Sequence, residues 1–319
     1  MQELILRAKE LLQNGEVARV LGWRKGEHIY DPEPAFFQSA EELNNFVYNG
    51  FCGANLSKFM IEASKLEGKT LVFLKPCDSY SFNQLLAEHR VDREKAYIIG
   101  VGCKGKLKIE NIEADGILDV GGAGYPDCSE MLTVKTLYGD VKVSYKDAML
   151  ERCHVCKGKE HVVFDEQIGE SVDTLDGDRF AEVERIEKMS PEEKFAYFRE
   201  ELSKCIRCNA CTKACTQSLN VMQYIAYAQR GELEKCAEES FDCVGCGCCS
   251  VRCPAGISHP MVGLLARRLT GKYIAPKSEH LENRVAEINA GAHDDLIEAI
   301  MQKSISEMQE LYNHRDIEK

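Results

Sequence analysis

The sequence predicts an α/β N-terminal domain containing a parallel βαβ unit, then an all-α cysteine-rich domain, then a C-terminal helix. Three observations carry this. Residues 70–101 read as strand, helix, strand. From residue 190 to about 270 every stretch between cysteines has helical spacing, without the alternation of a half-buried strand. Sixteen cysteines occur in 319 residues, and eight of them fall in two tight runs. The boundaries expected are 1–165 for the α/β domain, 166–189 for an acidic linker, 190–270 for the helical domain and 271–319 for a helical tail. The length suits two domains with ordinary cores, and 44% apolar residues argue against disorder.

In chain order, the opening MQELILRAKELLQNG mixes charges into its apolar face and reads as an amphipathic helix. A signal peptide would need an unbroken apolar core and a small-residue cleavage site. Cys52 stands at the start of another expected helix, CGANLSKFMIEASKL. Thr70–Lys75 (TLVFLK) and Ala96–Val101 (AYIIGV) are short apolar runs with β-branched and aromatic members, the pattern of buried strands. Between them Phe82, Leu85, Leu86 and Val91 follow helical spacing, with Asp78 or Ser79 as the cap. A strand–helix–strand unit this short makes the two strands parallel. Residues 166–189 are acidic and poor in large apolar groups, hence a linker. Ser190-Pro191-Glu192-Glu193 then opens a helix, with serine as cap, proline at the first position and glutamate at the third. Ser258 and Pro260 open another, which Gly271 ends. Ile297, Met301, Ile305, Met308 and Tyr312 line one face of a last helix from Asp294 to Tyr312.

The net charge of −12 leaves no basic stripe for nucleic acid. No apolar run approaches the ~18–20 residues that span a bilayer, so a cytoplasmic address and no membrane insertion are expected. The cysteines are bunched, in a chain too large to need disulfide staples, which fits a reducing compartment with metal-bound thiolates.

Cys205-x2-Cys208-x2-Cys211-x3-Cys215 is followed by Cys243-x2-Cys246-x2-Cys249-x3-Cys253-Pro254. This is the spacing of paired [4Fe–4S] clusters. A cubane offers four iron corners. Two-residue gaps bring three sulfurs onto three of them, and the fourth cysteine serves the neighbouring cube. Cys205, Cys208, Cys211 and Cys253 are therefore assigned to one cluster, and Cys243, Cys246, Cys249 and Cys215 to the other. Structural zinc would prefer CxxC pairs separated by a loop. Thr216 stands where a proline would follow the first run, and Cys236 and Cys248 are spare. The 27 residues between the runs are helical in character. With LNVMQYIAYAQRGELEKC and CVGCGCCSVRCPAGISHPMVGLLARRL, residues 196–270 resemble the α-helical ferredoxin module found in heterodisulfide reductase and in the iron–sulfur subunit of succinate dehydrogenase. The resemblance implies a dicluster wire within a larger oxidoreductase.

Cys77 follows the first strand and Cys103 the second, so a parallel sheet delivers both to one edge. Cys153 and Cys156 add a close pair. These four make the candidate third [4Fe–4S] site; Cys52 is the alternative to Cys77, and Cys128 is a weaker rival. A zinc site or plain buried thiols are the competing readings. The stretch GKTLVFLKPCDSYSFNQLLAEHRVDREKAYIIGVGCKG, with ERCHVCKGKEHVVFDEQIG, makes residues 1–170 similar to the beta-subunit family of deazaflavin-reducing hydrogenases. The likeness is to its short iron–sulfur members, which accompany heterodisulfide reductase-like complexes and formate dehydrogenases. It implies a cluster and, in full-length members, a flavin (FAD) and a deazaflavin or nicotinamide site. This chain reads as shorter than those members.

Gly100-Val101-Gly102-Cys103-Lys104-Gly105 matches GxGxxG, but no helix is expected after it, so a dinucleotide fingerprint is disfavoured. His154 reads as a supporting residue and the other histidines as surface residues. No catalytic set is identified. The expected function is an electron-transfer subunit of a multi-subunit oxidoreductase. Its partners would be subunits bearing flavin or metal chemistry, with soluble ferredoxin as a further candidate. The alternatives are a flavoenzyme that itself oxidises a nicotinamide or deazaflavin, and a zinc-stabilised scaffold.

Overall fold

The computed structural model describes residues 1–125, 129–156, 160–170, 178 and 180–314. Helix α1 (Gln2–Gln13) buries Leu4, Ala8 and Leu11, one stripe at helical spacing, against the first strand. Strands β1 (Arg19–Arg24) and β2 (Glu33–Phe37) pair antiparallel. β2 is the edge strand, which tolerates Pro34, since an edge carbonyl row does not need its missing N–H. A short helix α2 (Met60–Ala63) precedes β3 (Thr70–Leu74), whose five residues are all buried. Helix α3 (Pro76–Ala87) leads to β4 (Ala96–Val101).

β3 and β4 are parallel, with Leu74 opposite Gly100, as the βαβ pattern predicts. The helix starts earlier than expected. Pro76 opens it and Lys75 occupies the cap, without a capping side chain; Asp78 and Ser79 lie inside the first turn. Proline at the first helical position accounts for this start. Cys52 lies ahead of α2 in a non-helical segment, with a 3₁₀ turn at Ser57–Phe59 intervening, so it does not open a helix.

After β4 come the antiparallel strands β5 (Ile117–Gly121), β6 (Met131–Thr136) and β7 (Gly139–Ser144), a separate three-stranded sheet. Helix α4 (Glu151–His154) follows. The main sheet takes one more strand, β8 (Glu166–Ile168), parallel to β4, giving the order β2-β1-β3-β4-β8. The α/β sheet thus extends past residue 165. The expected linker also carries helix α5 (Ala181–Lys188), which buries Val183 and Ile186 beside Leu265. Its high charge is a solvated face, and two well-placed apolar residues suffice to dock it.

The rest of this unit is helical: α6 (Pro191–Ser203), α7 (Ala210–Ala214), α8 (Val221–Gln229), α9 (Leu233–Glu239), α10 (Cys248–Val251) and α11 (His259–Tyr273). Ser190 accepts from the Glu193 N–H while Glu193 accepts from the Ser190 N–H, the predicted reciprocal cap. Helix α11 runs through Gly271 instead of ending there. Val221, Tyr224, Ile225, Ile257, Val262 and Ala266 form a core around Cys211, Cys215 and Cys249.

Met1–Thr270 forms one compact unit and Gly271–Lys319 a second. The second contains α12 (Glu279–Asn289), α13 (Asp294–Met301) and α14 (Ile305–Asn313). The single tail helix expected from Asp294 to Tyr312 is split. Ser304 and Glu307 form a capping box that restarts the chain at Ile305. No described helix is long and apolar enough to cross a membrane.

His259 opens α11 fully buried, and burial holds its imidazole down to about 4. A charge at a helix N-terminus is also disfavoured by the dipole. The unfolded chain therefore binds a proton between about pH 6.5 and 4 that the fold does not, and stability falls as pH drops through that window. Relative to His259→Gln, the wild type should lose up to roughly 3 kcal/mol between pH 7 and 4. Urea midpoints at the two pH values check this; parallel losses would mean that His259 is charged in the fold.

Candidate metal centres

The two cysteine runs repeat each other in backbone conformation. Arg207 and Asn209 have φ of 55° and 63°; Gly245 and Gly247, at the matching positions, have 67° and 69°. Left-handed backbone at a non-glycine such as Arg207 is costly and is kept where surroundings impose it. Cys215 N donates to Thr212 O as Cys253 N donates to Ser250 O, so the fourth cysteine of each run sits in the same turn. Successive N–H groups in alternating right- and left-handed backbone form concave nests suited to anionic sulfur.

The thiols group across the runs. Burial pushes the Cys211 thiol up, and Cys205 and Cys253 add to it. Burial does the same at Cys215, where Cys246 and Cys243 add. Cys249 is raised by burial and then by Cys246, Cys243 and Cys215. A narrow pocket is lined by Cys215, Cys243, Cys246 and Cys249, with Tyr224, Val221 and Leu219 as an apolar wall. Cys208 is exposed, between two such loops. Cys215, Cys243, Cys246 and Cys249, which line one pocket together, supply the four thiol donors that a [4Fe–4S] cluster requires. Among the described residues no three histidine, cysteine or carboxylate side chains converge as a single ion's ligands do.

Thr216 has a role that its place in the motif did not suggest. It is buried, and its Oγ1 lies 3.5 Å from Cys246 Sγ. A proline there could make no such bond. Of the spare cysteines, Cys236 is fully buried in the helical core and burial raises its thiol to about 12, so it is a packing residue. Cys248 is also buried, and its proximity to Cys246 favours the thiolate at Cys246 and disfavours it at Cys248.

The second set forms at the C-terminal edge of β3 and β4. Cys77 enters on the first turn of α3 and Cys103 two residues after β4. The segment after Cys103 is laced to the segment before α4: Leu150 N donates to Lys106 O and Lys108 N to Ala148 O. This brings Cys153 and Cys156 to the same edge. Burial pushes Cys77 well up, Asp78 and Cys103 add to it, and Arg152 and Lys75 oppose it. At Cys153 burial again leads, opposed by Arg152 and reinforced by Cys103 and Cys156. Cys52 is different. Its sulfur is fully buried in the main core, accepts the Asn49 N–H at 3.3 Å and lies 3.7 Å from Val47 O. Cys128 lies outside the described residues. The described cysteines form no disulfide.

Two histidines are not on the surface as expected. His259 is buried at the start of α11. His161 crosses the sheet edge with Nε2 2.9 Å from Leu74 O, and its ring occupies the space a Cβ on Gly100 would need. Gly102 is equally constrained: a Cβ there would lie 2.4 Å from Glu170 O. A loop and a 3₁₀ turn at Ile109–Asn111 follow the GxGxxG match. Those glycines serve close backbone packing.

No family model matches the chain. A stretch of 99 residues, 31% of the chain, is 31% identical to the F420-dependent formate dehydrogenase 1 subunit beta of Methanococcus maripaludis. Over 99 residues the chain is 28% identical to the F420-dependent formate dehydrogenase subunit beta of Methanocaldococcus jannaschii. Over this stretch the chain is similar to F420-dependent formate dehydrogenase beta subunits. The match spans 26% of each relative, about a quarter of its length. Among solved structures, one titled as the xenon-derivatised F420-reducing [NiFe] hydrogenase complex from Methanosarcina barkeri overlaps 64% of this chain and 90% of its own, at a TM-score of 0.38 and 15% identity.

Proposed function

We propose that the chain is an iron–sulfur electron-transfer subunit of a multi-subunit oxidoreductase. Its helical region would be a dicluster ferredoxin-like module and its sheet edge a third cluster site. What supports this reading most is that Cys215 of the first run lines one pocket with Cys243, Cys246 and Cys249 of the second. Simple buried thiols have no reason to trade places in this way. Cys77, Cys103, Cys153 and Cys156 would hold the third centre, with Cys52 committed to its own loop.

A bound [4Fe–4S] cluster supplies one-electron storage at a potential set by burial, net charge and hydrogen bonds to sulfur. Tyr224, Val221 and Leu219 would keep water from one centre, and Thr216 would donate to the Cys246 sulfur. Exposed Cys208 offers the edge at which a partner could exchange an electron. Partners would carry the flavin or metal chemistry, as befits a relative of formate dehydrogenase subunits.

Anaerobically prepared protein should contain about twelve irons and as many sulfides per chain, four per cluster. About eight would remove the sheet-edge centre. Zinc without iron would overturn the reading, and so would a flavin spectrum with bleaching by reduced nicotinamide alone.

A further inference from the structure

Arg152 sits where the two cysteine-bearing regions meet. It precedes Cys153 on α4 and reaches across to the second run. Its Nη2 donates to Gly53 O at 2.8 Å and its Nη1 to Cys246 O. Gly247 gives it room, since a Cβ there would come 2.9 Å from Arg152 Cδ. Its Nε is buried without a hydrogen-bond partner among the described residues. Burial works against its charge, but Cys77, Cys248, Cys153 and Asp78 outweigh that and hold the guanidinium above its ordinary range. One cation thus stands directly before Cys153 of the sheet-edge set and touches the backbone of the other set at Cys246. Lys75 and Lys106 also lie near the sheet-edge thiols, but Lys75 is spent on Asp78 and Lys106 on Asn49 O.

We propose that Arg152 is a positioning residue shared by the Cys77–Cys103–Cys153–Cys156 centre and the Cys215–Cys243–Cys246–Cys249 centre, making both easier to reduce and fixing them as neighbours. The proposal rests on the cluster reading of the proposed function. Reduction makes each centre one charge more negative, and a nearby fixed cation in a low-dielectric setting favours that state. The exchange it serves moves one electron: one centre is oxidised as the other is reduced, with no bond made and no proton moved. The electron enters from an external reductant, dithionite in the test. Arginine suits the place because its planar fork serves two carbonyls while the charge stays permanent.

The test is an EPR-monitored redox titration of full-length, iron-loaded protein, comparing wild type, Arg152→Met and Arg152→Lys. Signals are assigned with single Cys→Ser variants. Iron is counted first, so that a failure of the cluster reading is seen separately. In R152M the reduction equilibrium of both flanking centres should fall about tenfold, ~59 mV for one electron, while the Cys205–Cys208–Cys211–Cys253 centre stays put. R152K should keep most of the wild-type potential. Unmoved potentials, a shift in only one flanking centre, or an R152K shift as large as that of R152M would overturn the proposal. Should R152M lose iron, the fully reduced wild type decides: the two flanking signals should broaden each other by spin coupling, and independent signals would refute their adjacency.

Discussion

Replacing Asp78 with asparagine should cost the Met1–Thr270 unit about 3–5 kcal/mol, because it strands a buried ammonium. Lys75 Nζ lies 2.6 Å from Asp78 Oδ2, and the two side chains are 0% and 1% exposed. The lysine also donates to Ala54 O at 2.7 Å and lies 4.7 Å from the centre of the Trp23 ring. Burial works against its charge, and the Asp78 carboxylate more than offsets this, so the Lys75 ammonium is favoured. Asparagine keeps the shape of the partner and removes its charge. Lys75 must then shed its proton or be hydrated, and either outcome loosens the start of α3. The double variant Lys75→Met with Asp78→Leu should recover most of the loss, since an apolar pair of similar volume avoids the desolvation cost. Urea denaturation under anaerobic conditions measures both. A loss below about 1 kcal/mol in D78N would mean that water reaches the pair.

The consequence extends beyond stability, because Cys77 lies between the two members of this pair. The ion pair fixes the turn on which Cys77 reaches the sheet edge. A local signature exists in the sequence, since Lys75-Pro76-Cys77-Asp78 places the charges three residues apart on a helix start. The complete burial of both charges could not be read there.

What was legible was local and repetitive. The runs at Thr70 and Ala96 are continuous apolar stretches with β-branched residues, and such strands are central and buried on both faces. The Ser190 cap needs only four residues to recognise. The cysteine runs carry their geometry in their spacing. The remaining strands gave weaker signals: β1 begins and ends in arginine, β2 contains a proline, and β8 is three residues long inside an acidic stretch. Their place is set by pairing, β1 on β3, β2 on β1 and β8 on β4, which is tertiary information. The tail helix was overextended because an apolar stripe continued through Ser304, while the capping box at that serine breaks it.

Buried and cross-linking polar residues that local sequence patterns do not reveal share a cause. Thr216 and Arg152 act on residues 30 and 94 positions away. His161 and His259 were read as surface groups because isolated histidines in polar sequence usually are. Their burial comes from the sheet edge and the α11 packing, and neither leaves a local pattern. The parallel sheet and the helical C-terminal part were therefore readable. Contacts made across the fold were not.

Which run supplies each fourth sulfur is decided by a reciprocal pair of substitutions. Cys253→Ser should disturb the same EPR signal as Cys208→Ser and leave that of Cys246→Ser intact, with a loss of up to about four irons. Cys215→Ser should do the reverse, disturbing the Cys246 signal and sparing the Cys208 one. If Cys253→Ser instead disturbs the Cys246 signal, each run closes its own site and the interlocked arrangement is contradicted.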